Sequence, residues 1–345
     1  MPLFAGRILL SDRTIEGYLQ VEGGRITAMG EGEPEERPDA RGWIVPFPVN
    51  GHTHAADTFL RSRRPKGASV KELVGPGGWK HQMLAAASDD DHTASFQALA
   101  GEMAGLGTSH FIDFREGGVP GARLLRDVAD DLPVRPVILG RGAAHGGRFD
   151  EDEARELLQV ADGIGLSGLR DLPRRDLEAW AEAARDARKP LAIHVSEDQR
   201  DDIDLALSLE PTFVVHMVQG TRSDFEELAA ARVPVVVCPR SNRAFGLRPP
   251  VPLMVQEGVT VALGTDNGML ADGDLLAEAG QLKAWYRDRL SDETLLRMMT
   301  HGARALLGLP AWKPKVGGPA DAIVLPVRPI APAATVKPPA PPLDL

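Results

Sequence analysis

Residues 190–238 read PLAIHVSEDQRDDIDLALSLEPTFVVHMVQGTRSDFEELAAARVPVVVC. Three apolar runs, PLAIHV (190–195), TFVVHM (212–217) and VPVVVC (233–238), are separated by stretches such as DFEELAAARV (224–233), whose apolar residues are spaced for one buried helical face. Near-continuous Val, Ile and Leu belong to strands buried on both faces, and their alternation with helices implies a parallel sheet.

The same rhythm extends in both directions. WIVPFPVN (43–50), SHFIDF (109–114), VRPVILG (134–140) and GIGLSGL (163–169) precede it and VTVALG (259–264) follows, which makes eight candidate strands. Helical stretches such as LEAWAEAARDARK (177–189) lie between them. Eight βα units close naturally into a barrel filled by branched side chains, so the expected fold is an α/β (β/α)₈ TIM barrel over residues 43–310, with an open doubly wound sheet as the alternative. Ahead of it, Gly23 and Gly24 between GYLQVE and RITAMG signal a hairpin. KVGGPADAIVLPV (315–327) reads as a returning strand. Residues 1–42 and 311–327 are therefore expected to form a small β-sandwich satellite from both chain ends, followed by a Pro/Ala-rich tail over 328–345.

A formal charge of −10 disfavours nucleic acid and anionic membranes, which need clustered cationic surface. No segment offers the roughly eighteen consecutive apolar residues of a membrane span, and the start MPLFAGRILLSDRTIEG lacks the basic and apolar regions of a leader. The one cysteine, Cys238, cannot form an internal disulfide and suits a reducing compartment. The expectation is a cytoplasmic protein that acts on a small molecule, alone or as a homo-oligomer.

In barrels the active site gathers at the carboxyl ends of the strands. The first strand ends in Asn50, Gly51, His52, Thr53 and His54, and residues two apart in an extended chain share a side. His194 ends the fifth strand, His216 the sixth and Asp266 follows the eighth. Three neutral imidazoles from His52, His54 and His194 with the Asp266 carboxylate suit one divalent ion, zinc before iron. His81, His92, His110 and His301 fall in helices, loops or at a strand start and read as structural. Arg115, Arg141 and Arg170 stand at or just past the ends of strands two, three and four, where guanidinium groups suit an anionic substrate or pair with Glu116 and Asp171. In the long first connection, Trp79 could stack on a planar base, and His145 lies in the glycine-rich RGAAHGGR.

The stretches GHTH, IHVSED, VVHMVQGT, VVVCPRSN and VALGTDN, in this order and with THGARALLGL near the end, resemble the amidohydrolase superfamily. The resemblance is to its mononuclear branch of cytosine-, guanine- and adenosine-type deaminases and triazine hydrolases. It implies that Glu197, three residues after His194, shuttles protons, that His216 orients the attacking water or substrate, and that Asp266 serves as both ligand and base. Binuclear relatives carry a bridging lysine at the end of strand four, where this chain has GIGLSGLRD, so the resemblance implies one ion. The expected activity is deamination of an amino-substituted aromatic heterocycle by a metal-activated hydroxide, with release of ammonia. Chlorohydrolase-type substitution, amide or lactam hydrolysis, and a noncatalytic binding scaffold are the alternatives. The other zinc deaminase design, H-x-E followed by P-C-x-x-C, needs two cysteines, and the chain has one.

Overall fold

A computed structural model describes residues 1–331 except Lys66, Pro76, Ala144 and His145, with Lys71 described by its backbone alone. The fold is α/β. A small sheet is made by β1 (Leu3–Leu9), β2 (Thr14–Glu22), β3 (Arg25–Glu31), β4 (Ala40–Pro46) and, from the far end of the chain, β14 (Ala322–Leu325), in the order β14-β4-β1-β2-β3. Gly23 and Gly24 join β2 to β3 with φ of 55° and 71°, the left-handed pair that a two-residue hairpin turn requires. The described residues form one five-stranded sheet there, and a second sheet packed on it as a sandwich is not among them.

The large sheet holds β5 (Val49–His54), β6 (His110–Arg115), β7 (Arg135–Gly140), β8 (Gly163–Gly168), β9 (Leu191–Val195), β10 (Phe213–His216), β11 (Val235–Val237), β12 (Val261–Leu263) and β13 (Asp266–Asn267). All its pairings are parallel, and it curls. β12 lies on β11, whereas β13, two residues further on, pairs with β5 through Asp266↔Thr53 and Asn267↔His54. The eighth run of the sequence is thus split between the last and the first strands of the series.

One expected strand divides differently. Trp43–Pro46, read from sequence as the start of the first large-sheet strand, belongs to the small sheet, and the large sheet starts at Val49. Pro46 and Pro48 carry no backbone N–H, so the ladder breaks between them and the chain changes sheets there.

Strand residues alternate between two cores. Ala192, Phe213, Val215, Val236 and Ala262 point inward, where Val49, Ile112, Phe114 and Leu139 join them, and the helix Ala303–Leu306 plugs the far end. Ile193, Val214, Val235, Val237, Val261 and Leu263 point outward against the helices, including Trp180 and Phe225. This period of two delivers a strand's last inward residue to the mouth of the interior. Among the described residues no helix is long and apolar enough to cross a membrane.

Candidate metal centre and cavity

His194 continues the inward face of β9 begun by Ala192, and Asp266 lies on the inward side begun by Ala262. The two residues of GHTH need a correction to the alternation. Val49 is inward, which would send His52 outward, but the register shifts between Asn50 and Thr53, and a bulge of this kind re-aims the side chains after it. The bulge is held by paired polar contacts. Asn50 donates to Thr265 Oγ1 (2.8 Å) and accepts from its amide (3.1 Å), while Asp113 Oδ1 accepts from Thr53 Oγ1 (2.9 Å) and the Ala55 amide (2.6 Å). Gly264 is required beside it, because a Cβ there would stand 2.8 Å from His52 Cβ.

His216 follows the inward Val215, and a regular strand would turn it out; its φ of +79° turns it back. Ser196, Met217 and Asp266 also have positive φ, at 53°, 49° and 59°. Non-glycine residues rarely adopt this region, and such strain collects at functional sites.

The imidazoles and Asp266 meet over the edge of Phe114, whose ring lies 4.4 Å from His52 and 4.9 Å from His194. His54 Nδ1 faces the Phe114 carbonyl at 3.1 Å and His194 Nδ1 the Leu166 carbonyl at 2.9 Å. A carbonyl only accepts, so both Nδ1 atoms carry the proton and both Nε2 atoms turn lone pairs to the centre. There, His52 Nε2 is 3.3 Å from His194 Nε2 and 3.2 Å from Asp266 Oδ1, and His54 Nε2 is 3.6 Å from the same oxygen. His52 Nδ1 is buried without a partner. Lone pairs and a carboxylate gathered at such distances suit a cation. Ligand atoms fall within 4.8 Å of one another in two groups that share His52, one with His54 and Asp266 and one with His194 and His216; Glu197, His216 and Asp266 form a third. The donors therefore fit a divalent ion of the zinc or iron type.

Burial sets the protonation states. It pushes His52 down to about 3 and holds His194 well below the usual imidazole value, with help from the charges of His52 and His216. Burial acts upward on Asp266, but the hydrogen bond and charge of His52, with His216 and His54, outweigh it and keep the carboxyl well below its ordinary range. Glu197 is raised, chiefly by burial and against the pull of His216, whose Nε2 is 3.7 Å from Glu197 Oε1.

A cavity of about 360 Å³ opens above this cluster, with His54, His194, Glu197, His216 and Asp266 in its lining. Arg141 and Arg170 line it too. Arg170 is held by Asp198 (3.0 Å), Asp201 (3.3 Å) and Gln199 (3.1 Å), whereas no acid pairs with Arg141 among the described residues. Arg115 does not reach the cavity. It is buried beneath the helix Gly118–Val128, donating to the Gly121 carbonyl (3.1 Å) over the Phe96 ring and facing Glu116 at 3.8 Å. Trp79 packs with Leu60, Leu73 and Met269 instead of lining the cavity, and His145 lies outside the described residues. His92, His110 and His301 stand apart, but His81 lines the cavity, contrary to expectation.

Five further residues serve the cluster. Ser241 donates to Asp266 Oδ2 and Asn267 Nδ2 to Asp266 Oδ1 (2.9 Å). Lys80, Glu116 and Asp57 form a buried charged group beside His54. Ser241 and Asn267 lie inside the quoted stretches VVVCPRSN and VALGTDN, which could have drawn attention to them; the other three carry no local signal.

Known proteins share this arrangement of strands. A model for the amidohydrolase family matches residues 43–343. The 5-methylthioadenosine/S-adenosylhomocysteine deaminase of Halobacterium salinarum is 30% identical over 369 residues, covering 93% of this chain and 82% of that protein. Among solved structures, an adenosine deaminase from Xanthomonas campestris with bound zinc has a TM-score of 0.72 at 21% identity, covering 94% of this chain and 84% of that one. An atrazine chlorohydrolase from Arthrobacter aurescens complexed with zinc has a TM-score of 0.69 at 20% identity, covering 98% and 90%. These two likenesses concern the fold.

Proposed function

The chain belongs to the amidohydrolase family, and from that premise we propose that it is a mononuclear aminohydrolase, removing ammonia from an amino-substituted aromatic heterocycle. It is a metal-dependent hydrolase of carbon–nitrogen bonds other than peptide bonds. The observation that carries the finer reading is Glu197, a carboxyl raised by burial, 3.7 Å from His216 beside the metal-type cluster. A proton donor there is what an amine needs in order to leave as ammonia. Chloride leaves without a proton, which places the chlorohydrolase reading second.

His52, His54, His194 and Asp266 would hold one ion, zinc before iron, a choice supported by the zinc in both solved neighbours. Such an ion supplies a nucleophile at neutral pH by lowering the pKa of water from near 16 to about 7. Asp266, its carboxyl ionised and fixed by Ser241 and Asn267, takes the proton of the attacking water. His216 directs that water toward the ring carbon bearing the amino group. Glu197 protonates the adjacent ring nitrogen; the proton held by Asp266 then goes to the departing amine, and the hydroxyl proton of the adduct returns to Glu197 as the carbonyl forms. Arg141, at the cavity wall and unpaired with any acid among the described residues, would hold an anionic substituent of the substrate. We place the protein in the cytoplasm on the strength of its buried, unpaired Cys238.

The test is ammonia release by the metal-loaded chain from amino-substituted purines, pyrimidines and pterins, with and without acidic substituents. Deamination of any one supports the reading; hydrolysis confined to chloro-substituted rings or cyclic amides would overturn it.

A further inference from the structure

We infer that Lys80 is a positioning residue for the metal centre, fixing His54 through Glu116 and Asp266 through Asn267. The inference rests on the metal-site reading above. Lys80 stands in the first turn of the helix Trp79–Ala86, within the long connection between β5 and β6, and is 2% exposed. A lysine is almost never so buried unless its charge is paired. Its Nζ donates to Asn267 Oδ1 at 2.8 Å and forms ion pairs with Glu116 Oε1 at 2.8 Å and Asp57 Oδ2 at 3.4 Å.

Each of those contacts leads to the metal cluster. An ammonium has no lone pair, so Asn267 must offer it the amide oxygen, which commits the amide nitrogen to Asp266 Oδ1 at 2.9 Å. The opposite flip would bring amide protons against the ammonium and an oxygen against the carboxylate. On the other side, the Glu116 oxygen nearest Lys80 is also 2.9 Å from His54 Nδ1, the ring nitrogen opposite the one that faces the centre. Asp57, the third partner, accepts from the Met269 amide at 2.9 Å and ties down the turn after Asn267. One cation therefore sets the orientation of an imidazole from the first strand of the large sheet and of a carboxylate from the last. Such outer contacts typically contribute tenfold to a hundredfold in metal affinity. Replacing Lys80 alone leaves two buried carboxylates, Asp57 and Glu116, with Arg115 at 3.8 Å from Glu116 as the remaining cation, so a charge-balanced variant is needed beside the simple one.

Cobalt(II) is the probe. The metal-free full chain, its Lys80→Met variant and the Lys80→Met/Glu116→Gln double variant are titrated with cobalt against a competing chelator, and the visible absorption bands of the bound ion are recorded. The expected result is a tenfold to hundredfold loss of cobalt affinity in the variants, with altered bands. A folded variant of either kind with the native chain's affinity and bands overturns the inference. Should neither variant fold, the native chain decides: in ¹⁵N-lysine-labelled protein the Lys80 Nζ resonance is expected to shift when zinc is added, and an unmoved resonance overturns the proposal. Failure of the native chain itself to bind cobalt would overturn the metal-site reading, whereas tight native binding matched by the variants overturns this inference alone.

Discussion

Glu197 Oε1 and His216 Nε2 face each other at 3.7 Å, one on the turn after β9 and the other at the end of β10, brought together by a left-handed backbone at His216. The carboxyl is raised by burial, and the ligand atoms of Glu197, His216 and Asp266 lie within 4.8 Å of one another. Glu197→Gln keeps the shape and removes the transferable proton. We expect kcat to fall by about 10²–10⁴-fold while bound metal, measured by elemental analysis, is unchanged. Native turnover in a metal-loaded Glu197→Gln protein would remove Glu197 from the chemistry.

Metal binding should resist acid. Imidazoles bind a metal when neutral, and burial keeps His52 near 3 and His194 well below the usual value, so lowering the pH from about 7.5 to 5.5 protonates neither. Asp266, also held low, stays ionised across this window. His52 and His194 should therefore add nothing to the slope of log affinity against pH over this window. A slope near three, as from three ordinary imidazoles, would contradict the buried cluster.

Ser241 should matter through Asp266. Its hydroxyl donates to Asp266 Oδ2 from the helix Pro239–Ala244, and both residues are buried. Ser241→Ala frees that oxygen to rotate, and we expect a loss of about tenfold to a hundredfold in metal affinity or kcat/KM. Chelator competition and steady-state kinetics measure the two, and no change in either would show that Asn267 alone holds the carboxylate.

Two arginines that look alike in sequence should behave differently. Arg141 lines the cavity, so Arg141→Ala is expected to raise KM for an anionic substrate while kcat changes little. Arg115 is buried against Gly121 and Phe96, so Arg115→Ala is expected to lower stability by about 1–3 kcal/mol in urea unfolding with KM unchanged. The reverse pattern would exchange their roles.

The contrast shows what a linear sequence conveys here. Apolar runs that lead to His194, His216 or Asp266 are one-dimensional signals; strand periodicity carries His194 and Asp266 to the mouth, and a left-handed backbone turns His216 to the same place. Residues 43–54 were less legible, because a proline-marked change of sheet and a bulge decide where Trp43 goes and which way His52 points. Arg115 ends β6 and Arg141 directly follows β7, and the helix Gly118–Val128 lying over the former tells them apart. Lys80 stands beside Trp79, whose aromatic ring suits stacking on a planar base; yet Trp79 packs into the loop while its neighbour enters the charged group. Nothing periodic announces a buried lysine whose partners lie 36 and 187 residues away, at Glu116 and Asn267.

The most direct measurement pairs metal content with ammonia release on one preparation. Protein stripped of metal is reconstituted with graded zinc, and ammonia is followed on the best amino-heterocycle from the screen. The account predicts no release from the stripped chain and activity that rises to a plateau at one zinc per chain. A plateau at two would contradict the single-ion site, and equal release with and without metal would contradict the metal-dependent chemistry itself.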